Sequence, residues 1–369
     1  MVNYSNMPNN KSKNGKAIRY IDLFCGIGGF RIAAEQIPSE LGVPTKCVFS
    51  CDVDEQCQKT YEENFGEKPA GNITTVKAET IPDHDLLLAG FPCQPFSIIG
   101  HRKGFDDTRG TLFFEIARIL EEKKPAAFVL ENVKLLAGHN NGKTLKRIIT
   151  ALRDLGYYAD FRVLNALDFG LPQKRERIFI VGFKKACSFN WPKSGIPMIP
   201  LKDILEENVP EQYYASEYIR KNRLKKQKPT KEPTIWHENK AGHISAYPFS
   251  CALRAGASYN YLLVNGERRL TMREMLRLQG FPDSFKIVCN YSQTRKQAGN
   301  SLPVPVAKTI LKNLFIAQGW NNGDVDYSHY GLQHQIIDGQ MRLFEKKAKY
   351  GKKPKIKNGR EIQAAVSAK

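Results

Sequence analysis

IRYIDLFCGIGGFRIAAEQI, residues 18–37, runs from a short apolar stretch through closely spaced glycines into a helical one. It reads as a strand (18–24), a tight turn (25–29) and a helix. The same unit recurs along the chain. CVFSCD (47–52) is a second strand, followed by the helix DEQCQKTYEENFG. DLLLAGF (85–91) is a third, followed by the amphipathic helix TLFFEIARILEE (111–122). AAFVLENV (126–133) is a fourth, with TLKRIITALRDLG as its helix, and RIFIVGF (177–183) is a later strand. This rhythm predicts an α/β fold with a doubly wound sheet whose early strands are parallel.

Near residue 184 the rhythm fails. Residues 184–267 are rich in Lys, Pro, Tyr and Asn, and no period is sustained. KNRLKKQKPTKEP is a basic loop, and GHISAYPFSCALRAGASYNYLLVNG mixes glycine, aromatic and arginine residues. This stretch predicts a smaller, irregular domain. Helix returns at TMREMLRLQG (271–280) and VPVAKTILKNLF (304–315). Residues 1–17 read as a flexible lead, and the tail from 346 is Lys-rich.

The chain has 369 residues, enough for one large core and a smaller second domain. There are 56 Lys and Arg against 37 Asp and Glu, a formal charge of +19. So basic a balance implies a polyanionic partner, with nucleic acid and anionic membrane as the two candidates. No apolar run approaches ~18 residues, which argues against a membrane span. MVNYSNMPNNKSKNGK lacks the apolar core of a signal peptide. The eight cysteines show no Cys-x-x-Cys spacing, so they read as free thiols in a reducing, cytoplasmic compartment with no structural metal.

Ligands of open α/β sheets bind outside the carboxyl ends of the strands. Strand one ends at Cys25-Gly26-Ile27-Gly28-Gly29, strand two at Asp52, strand three at Pro92-Cys93-Gln94, and strand four at Glu131-Asn132. The glycines allow close backbone approach to a ligand. They form neither G-x-G-x-x-G nor a P-loop. With an acid after strand two, the pattern suits a nucleoside cofactor without a pyrophosphate; a plain strand–helix turn with surface acids is the competing explanation. Cys93 stands between two prolines where strand three stops, and reads either as a structural thiol or as a positioned nucleophile. Glu131 reads as a loop acid or a general acid. Arg175 and Arg177, two apart, project from one face of an extended segment. Arg269, Arg273 and Arg277 share one helix face, either toward phosphates or as a salt-bridged structural stripe.

These pieces, in this order, resemble the DNA (cytosine-5) methyltransferase family of the bacterial restriction-modification type. The resemblance rests on YIDLFCGIGGFR, AGFPCQPFS, RGTLFFEIARIL, LENV, LNALDFGLPQKRERIFIVGF, RRLTMREMLRLQGFPDSF and QAGNSLPVPVA. It implies a Rossmann-like S-adenosylmethionine-dependent domain over 18–190, rejoined by 295–335. It also implies a mostly β target-recognition domain over 191–294 and a basic tail over 336–369. Cys93 would add to C6 of a flipped-out cytosine, Glu131 would protonate N3, Arg177 would hold O2, and Arg175 would support the Cys93 end of the pocket.

For S-adenosylmethionine, the resemblance implies Phe24, Gly26 and Gly28 at the methionine end. Asp52 would take the ribose hydroxyls. Val53, Asn72 and Ile73 would surround adenine, and Pro92, Asn300 and Ser301 would close the site. Two positions depart from the family: Val53 replaces a frequent aromatic, and Asn72 replaces a frequent Asp. The segment SIIGHRKGFDDTRG (97–110) would be a lid touching double-stranded DNA through Ser97, Arg102 and Arg109. Arg254 and Asn260 are the expected base readers. The chain would act as a monomer, away from membranes, with any cognate restriction endonuclease working separately. The related tRNA methyltransferases carry a Cys-Phe-Thr signature that this sequence lacks. A nicotinamide-dependent oxidoreductase on the same fold is disfavoured by the missing G-x-G-x-x-G and the charge.

Overall fold

The computed structural model describes residues 16–92 and 112–321. Its main sheet holds β1 (Ile18–Leu23), β2 (Thr45–Cys51), β3 (Leu86–Gly90), β4 (Ala127–Val133), β5 (Tyr158–Asn165) and β7 (Glu176–Phe183), in the order β2-β1-β3-β4-β7-β5. β2, β1, β3 and β4 pair in parallel, and the helices between them supply the crossovers that parallel pairing needs. β7 runs antiparallel to both β4 and β5. The sheet is therefore mixed, with an antiparallel pair at one edge.

Successive residues of β3 and β4 are buried without alternation: Leu86–Ala89 and Ala127–Leu130 are all 0% exposed. Both faces of these central strands must then be covered, which explains their continuous apolar runs. Among the described residues, two groups of helices pack together. One contains α1 (Gly29–Glu35), α2 (Ile37–Leu41) and the late helix α10 (Val304–Ala317); the other contains α4 (Leu112–Lys123), α5 (Leu135–Gly138) and α6 (Lys143–Asp154). α3 (Glu55–Phe65) follows β2 and is N-capped by Asp54, whose carboxylate accepts from the N–H groups of Gln56 and Cys57.

Beyond β7 the chain is mostly short and irregular. β8 (Ile235–Glu238), β9 (Ile244–Tyr247) and β11 (Leu262–Val264) form a three-stranded antiparallel sheet, flanked by α7 (Glu217–Lys226). Its centre is Trp236, 0% exposed, against which Gly266 packs so closely that an added Cβ would meet the indole at 2.3 Å. A two-residue parallel pair, β6 (Gln173–Lys174) with β10 (Ser250–Cys251), ties this region to the segment leading into β7. α8 (Met272–Arg277) and α9 (Tyr291–Asn300) then lead to α10.

The arginine stripe of α8 is structural. Arg269 lies before the helix and donates to Tyr213 and Gln212 carbonyls. Arg273 donates to the carbonyls of Pro282 and Phe285, and Arg277 pairs with Asp283 at 2.7 Å.

Candidate active site

A cavity of about 700 Å³ opens at the carboxyl ends of β1 to β4. At the end of β1 the backbone turns sharply. Phe24 has φ +54°, unusual for a side-chain-bearing residue, and Gly26 and Gly28 have φ +54° and +85°. The turn is locked by Gly28 N–H donating to the Cys25 carbonyl at 2.8 Å and Cys25 N–H donating to the Cys51 carbonyl at 3.0 Å. Gly28 is required twice over: an added Cβ would lie 2.3 Å from the Phe65 ring. Phe24 and Gly26 belong to the cavity wall.

Asp52 follows β2 and is gripped from two sides. Its carboxylate accepts from Gly26 N–H at 2.8 Å and from Asp54 N–H at 2.8 Å. Burial nevertheless raises its pKa, with the two backbone hydrogen bonds opposing the shift. Four lone-pair positions on a carboxylate leave room for further donors. Val53, 73% exposed, Asn72 and the buried Ile73 stand on the same wall. The Asn72 side-chain oxygen already accepts from Thr74 N–H at 3.1 Å, capping a short helical turn. Asn300 and Ser301 reach the cavity from the far end of the chain.

The cavity wall also carries a buried ion pair. Glu131, on β4, and Arg177, on β7, pair at 3.0 Å between Oε1 and Nε, both on the wall and both largely buried. Burial raises the Glu131 pKa, with Arg177 and then Arg175 pulling it back. Burial likewise lowers the Arg177 pKa, which Glu131 opposes. Asn132 donates to the Phe91 carbonyl at 2.9 Å, fixing the turn after β3 where Pro92 joins the wall. Cys93, Ser97, Arg102 and Arg109, with the whole of 97–110, lie outside the described residues.

Arg175 was expected to support the Cys93 end of the pocket, and Cys93 lies outside the described residues. Arg175 itself is 1% exposed and absent from the cavity wall. Its guanidinium donates to the carbonyls of Leu253, at 3.1 Å, Gly299, at 3.0 Å, and Ser301. Burial, then the charge of Arg177, push its pKa down to about 9. A guanidinium bound to backbone carbonyls holds segments together rather than lining a pocket. Arg254 and Asn260 stand apart from the cavity wall. Arg254 is exposed, with its guanidinium 4.8 Å from the centre of the Tyr261 ring, and the Asn260 carbonyl accepts from Arg223.

Sequence reasoning missed Asp22. It sits in β1, 1% exposed, on the cavity wall, with Oδ2 lacking any hydrogen-bond partner. Burial raises its pKa to about 8. An acid inside the buried run YIDLF is itself a signal, because an unpaired carboxyl is rarely buried without use. Lys296 was also missed; it pairs with Asp54 at 2.7 Å and joins the wall.

The family model for C-5 cytosine-specific DNA methylase matches residues 18–316. The type II methyltransferase M.NgoBI of Neisseria gonorrhoeae is 54% identical over 315 residues, covering 83% of this chain and 97% of that protein. M.HaeII of Haemophilus aegyptius, also a type II methyltransferase, is 55% identical over 302 residues, covering 81% and 93%. Among solved structures, a DNMT2 mutant of Spodoptera frugiperda superposes with a TM-score of 0.64 at 20% identity, covering 81% of this chain and 100% of that one, a likeness of fold alone. A match across nearly all the described residues, with relatives alike over most of both chains, establishes that this chain belongs to the C-5 cytosine-specific DNA methylase family.

Proposed function

We propose that the chain methylates one cytosine within a short DNA sequence through a covalent adduct on Cys93, with Glu131 and Arg177 as the groups that hold and protonate the base. DNA cytosine-5 methylation with S-adenosylmethionine as donor follows from the family. The buried Glu131–Arg177 pair on the cavity wall carries the assignment of roles.

Cytosine C5 is a poor nucleophile. In this reading the Cys93 thiolate adds to C6, and Glu131 delivers a proton to N3 as negative charge gathers there. Its raised pKa favours the protonated form that this step needs. Arg177 hydrogen-bonds O2 and keeps Glu131 oriented. C5, now enamine-like, takes the methyl group from the sulfonium, which leaves as a neutral thioether; a base then removes the C5 proton, the Cys93 thiolate is expelled, and N3 returns its proton to Glu131. The target lies inside the duplex stack, so the base must leave it first.

The cavity suits the donor. Its volume falls in the range of small-molecule sites. S-adenosylmethionine supplies an electrophilic methyl group on a sulfonium. The glycine turn leaves backbone exposed to the methionine end, Asp22 adds a carboxyl oxygen without a partner there, and Asp52 is held by Gly26 N–H and Asp54 N–H with capacity for ribose hydroxyls. Val53 and Ile73 offer aliphatic faces for adenine, with Asn72, Pro92, Asn300 and Ser301 beside them.

The recognition region of 191–294, with Arg254 and Asn260 as base readers and Ser97, Arg102 and Arg109 as lid contacts, goes with this reading. So do catalytic segments at 18–190 and 295–335, a monomer in the bacterial cytoplasm, and protection of host DNA against a separately acting endonuclease. The charge of +19 supplies the phosphate attraction. The test uses a duplex with 5-fluorocytosine at the methylated position. Fluorine cannot leave as a proton, so the adduct accumulates. The intact chain should form a denaturation-resistant complex, and Cys93→Ser should form none; an adduct retained by Cys93→Ser would refute the nucleophile assignment.

A further inference from the structure

α9 is occupied on two faces. Ser292, Arg295 and Gly299, spaced three and four apart, share one of them. All three meet the segment after Leu253. Arg295 donates to the Ala257 carbonyl at 2.7 Å, and its guanidinium lies 4.5 Å from the centre of the Tyr259 ring. The Tyr259 hydroxyl donates to Ser292 Oγ at 3.2 Å. A Cβ on Gly299 would come within 2.6 Å of the Ala255 nitrogen, so the two backbones touch.

The other face closes the cavity. Lys296 pairs with Asp54 at 2.7 Å, beside Asp52. Gln297 donates to the Gln56 carbonyl at 2.9 Å and the Thr60 hydroxyl at 3.0 Å, both on α3. Lys296, Gln297 and Asn300 all belong to the cavity wall. Arg175 joins the two sides again, donating to Leu253 and to Gly299. The clasp on the loop side is incomplete: Arg295 Nε is buried without a hydrogen-bond partner.

We propose that α9 makes the affinity for the methyl donor depend on which DNA sequence the 253–260 segment engages, with Arg295 as the positioning residue. The inference rests on the reading of that segment as base-reading and of the cavity as the donor site. α9, a ten-residue helix, is taken to shift as one element. If engaging bases shifts residues 255–259, the shift reaches Arg295 and Gly299, and with them Lys296, Gln297 and Asn300. Linkage makes the effect reciprocal: the donor tightens the hold on the cognate site by the same factor.

The experiment titrates the full chain with S-adenosylhomocysteine by calorimetry, alone, with a duplex carrying its mapped site, and with a duplex in which one base pair of that site is changed. The unaltered chain should gain about tenfold in affinity with its own site and little with the changed one. In Arg295→Met that gain should fall below about threefold, within the span of weak coupling, while the DNA-free affinity stays unchanged. Arg295→Lys should restore part of the gain, because it keeps a cation over Tyr259. Ser292→Ala, on an exposed position, should lose less, and thermal melting confirms that each variant folds. Full gain in Arg295→Met, equal loss with and without DNA, or no gain in the unaltered chain would each overturn the inference. An unaltered chain that binds no probe or methylates no DNA would instead overturn the functional reading, before any variant is compared.

Discussion

Arg177 Nε stands 3.0 Å from Glu131 Oε1 across two antiparallel strands. Arg177 lies opposite Val133, so Glu131, two residues back on β4, is on the same face. Both side chains are nearly buried, and burial pushes each toward its neutral form while the other opposes it. The pair therefore holds a carboxyl whose pKa burial raises, beside the guanidinium that opposes that rise.

Glu131→Gln keeps the shape and removes the proton donor. Single-turnover methyl transfer should slow by about 10²- to 10⁴-fold, the usual worth of a positioned general acid. Cofactor affinity, measured by calorimetry, should barely change. A parallel loss of both would place Glu131 in binding rather than in proton transfer.

Arg177→Ala leaves the buried carboxyl without its partner. Such a break costs about 3–5 kcal/mol, readable as a lower urea midpoint. The double variant Glu131→Gln with Arg177→Met should regain most of that stability and none of the activity. Equal stability of Arg177→Ala and the unaltered chain would contradict the pairing.

Asp22 gives a pH signature. Its folded-state pKa is raised by burial from 3.8 to about 8. The folded state thus keeps a proton that the unfolded chain has lost. The stability contribution is full below about pH 4 and is lost as the pH rises toward 8. Asp22→Asn should flatten the decline in urea midpoint between pH 4 and 8; the same decline in both proteins would assign it to other groups.

Gly28→Ala and Gly66→Ala separate two costs. Both glycines have positive φ, +85° and +74°, but only at Gly28 does an added Cβ strike a neighbour, Phe65 at 2.3 Å. The backbone term is about 1–2 kcal/mol at each. Overpacking adds about 1–3 kcal/mol at Gly28 alone. Urea melts should rank the two variants in that order, and only Gly28→Ala should weaken cofactor binding.

Much of this was legible in the sequence. The apolar runs of β1 to β4 and the glycine turn gave the parallel core and the rim on which Asp52 and Glu131 stand. β5 was missed because YADFRVLN is a half-exposed edge strand with polar residues at its centre. That β7 runs antiparallel could not be read, since side-chain period carries no direction. The place of Arg175 was equally hidden. A two-residue spacing put it on the face of Arg177, but its partners Leu253, Gly299 and Ser301 are 78 to 126 residues away. The stripe of Arg269, Arg273 and Arg277 was ambiguous for the same reason: only the fold reveals the carbonyls and Asp283 that absorb it.

The central claim is methyl transfer to cytosine C5 in a defined sequence. The most direct measurement supplies radiolabelled S-adenosylmethionine and unmethylated genomic DNA to the full chain, then maps modified cytosines by bisulfite sequencing. The account predicts label in DNA and protected cytosines at one short recurring context. Label in tRNA but not DNA, or no transfer while the cofactor is bound, would contradict it.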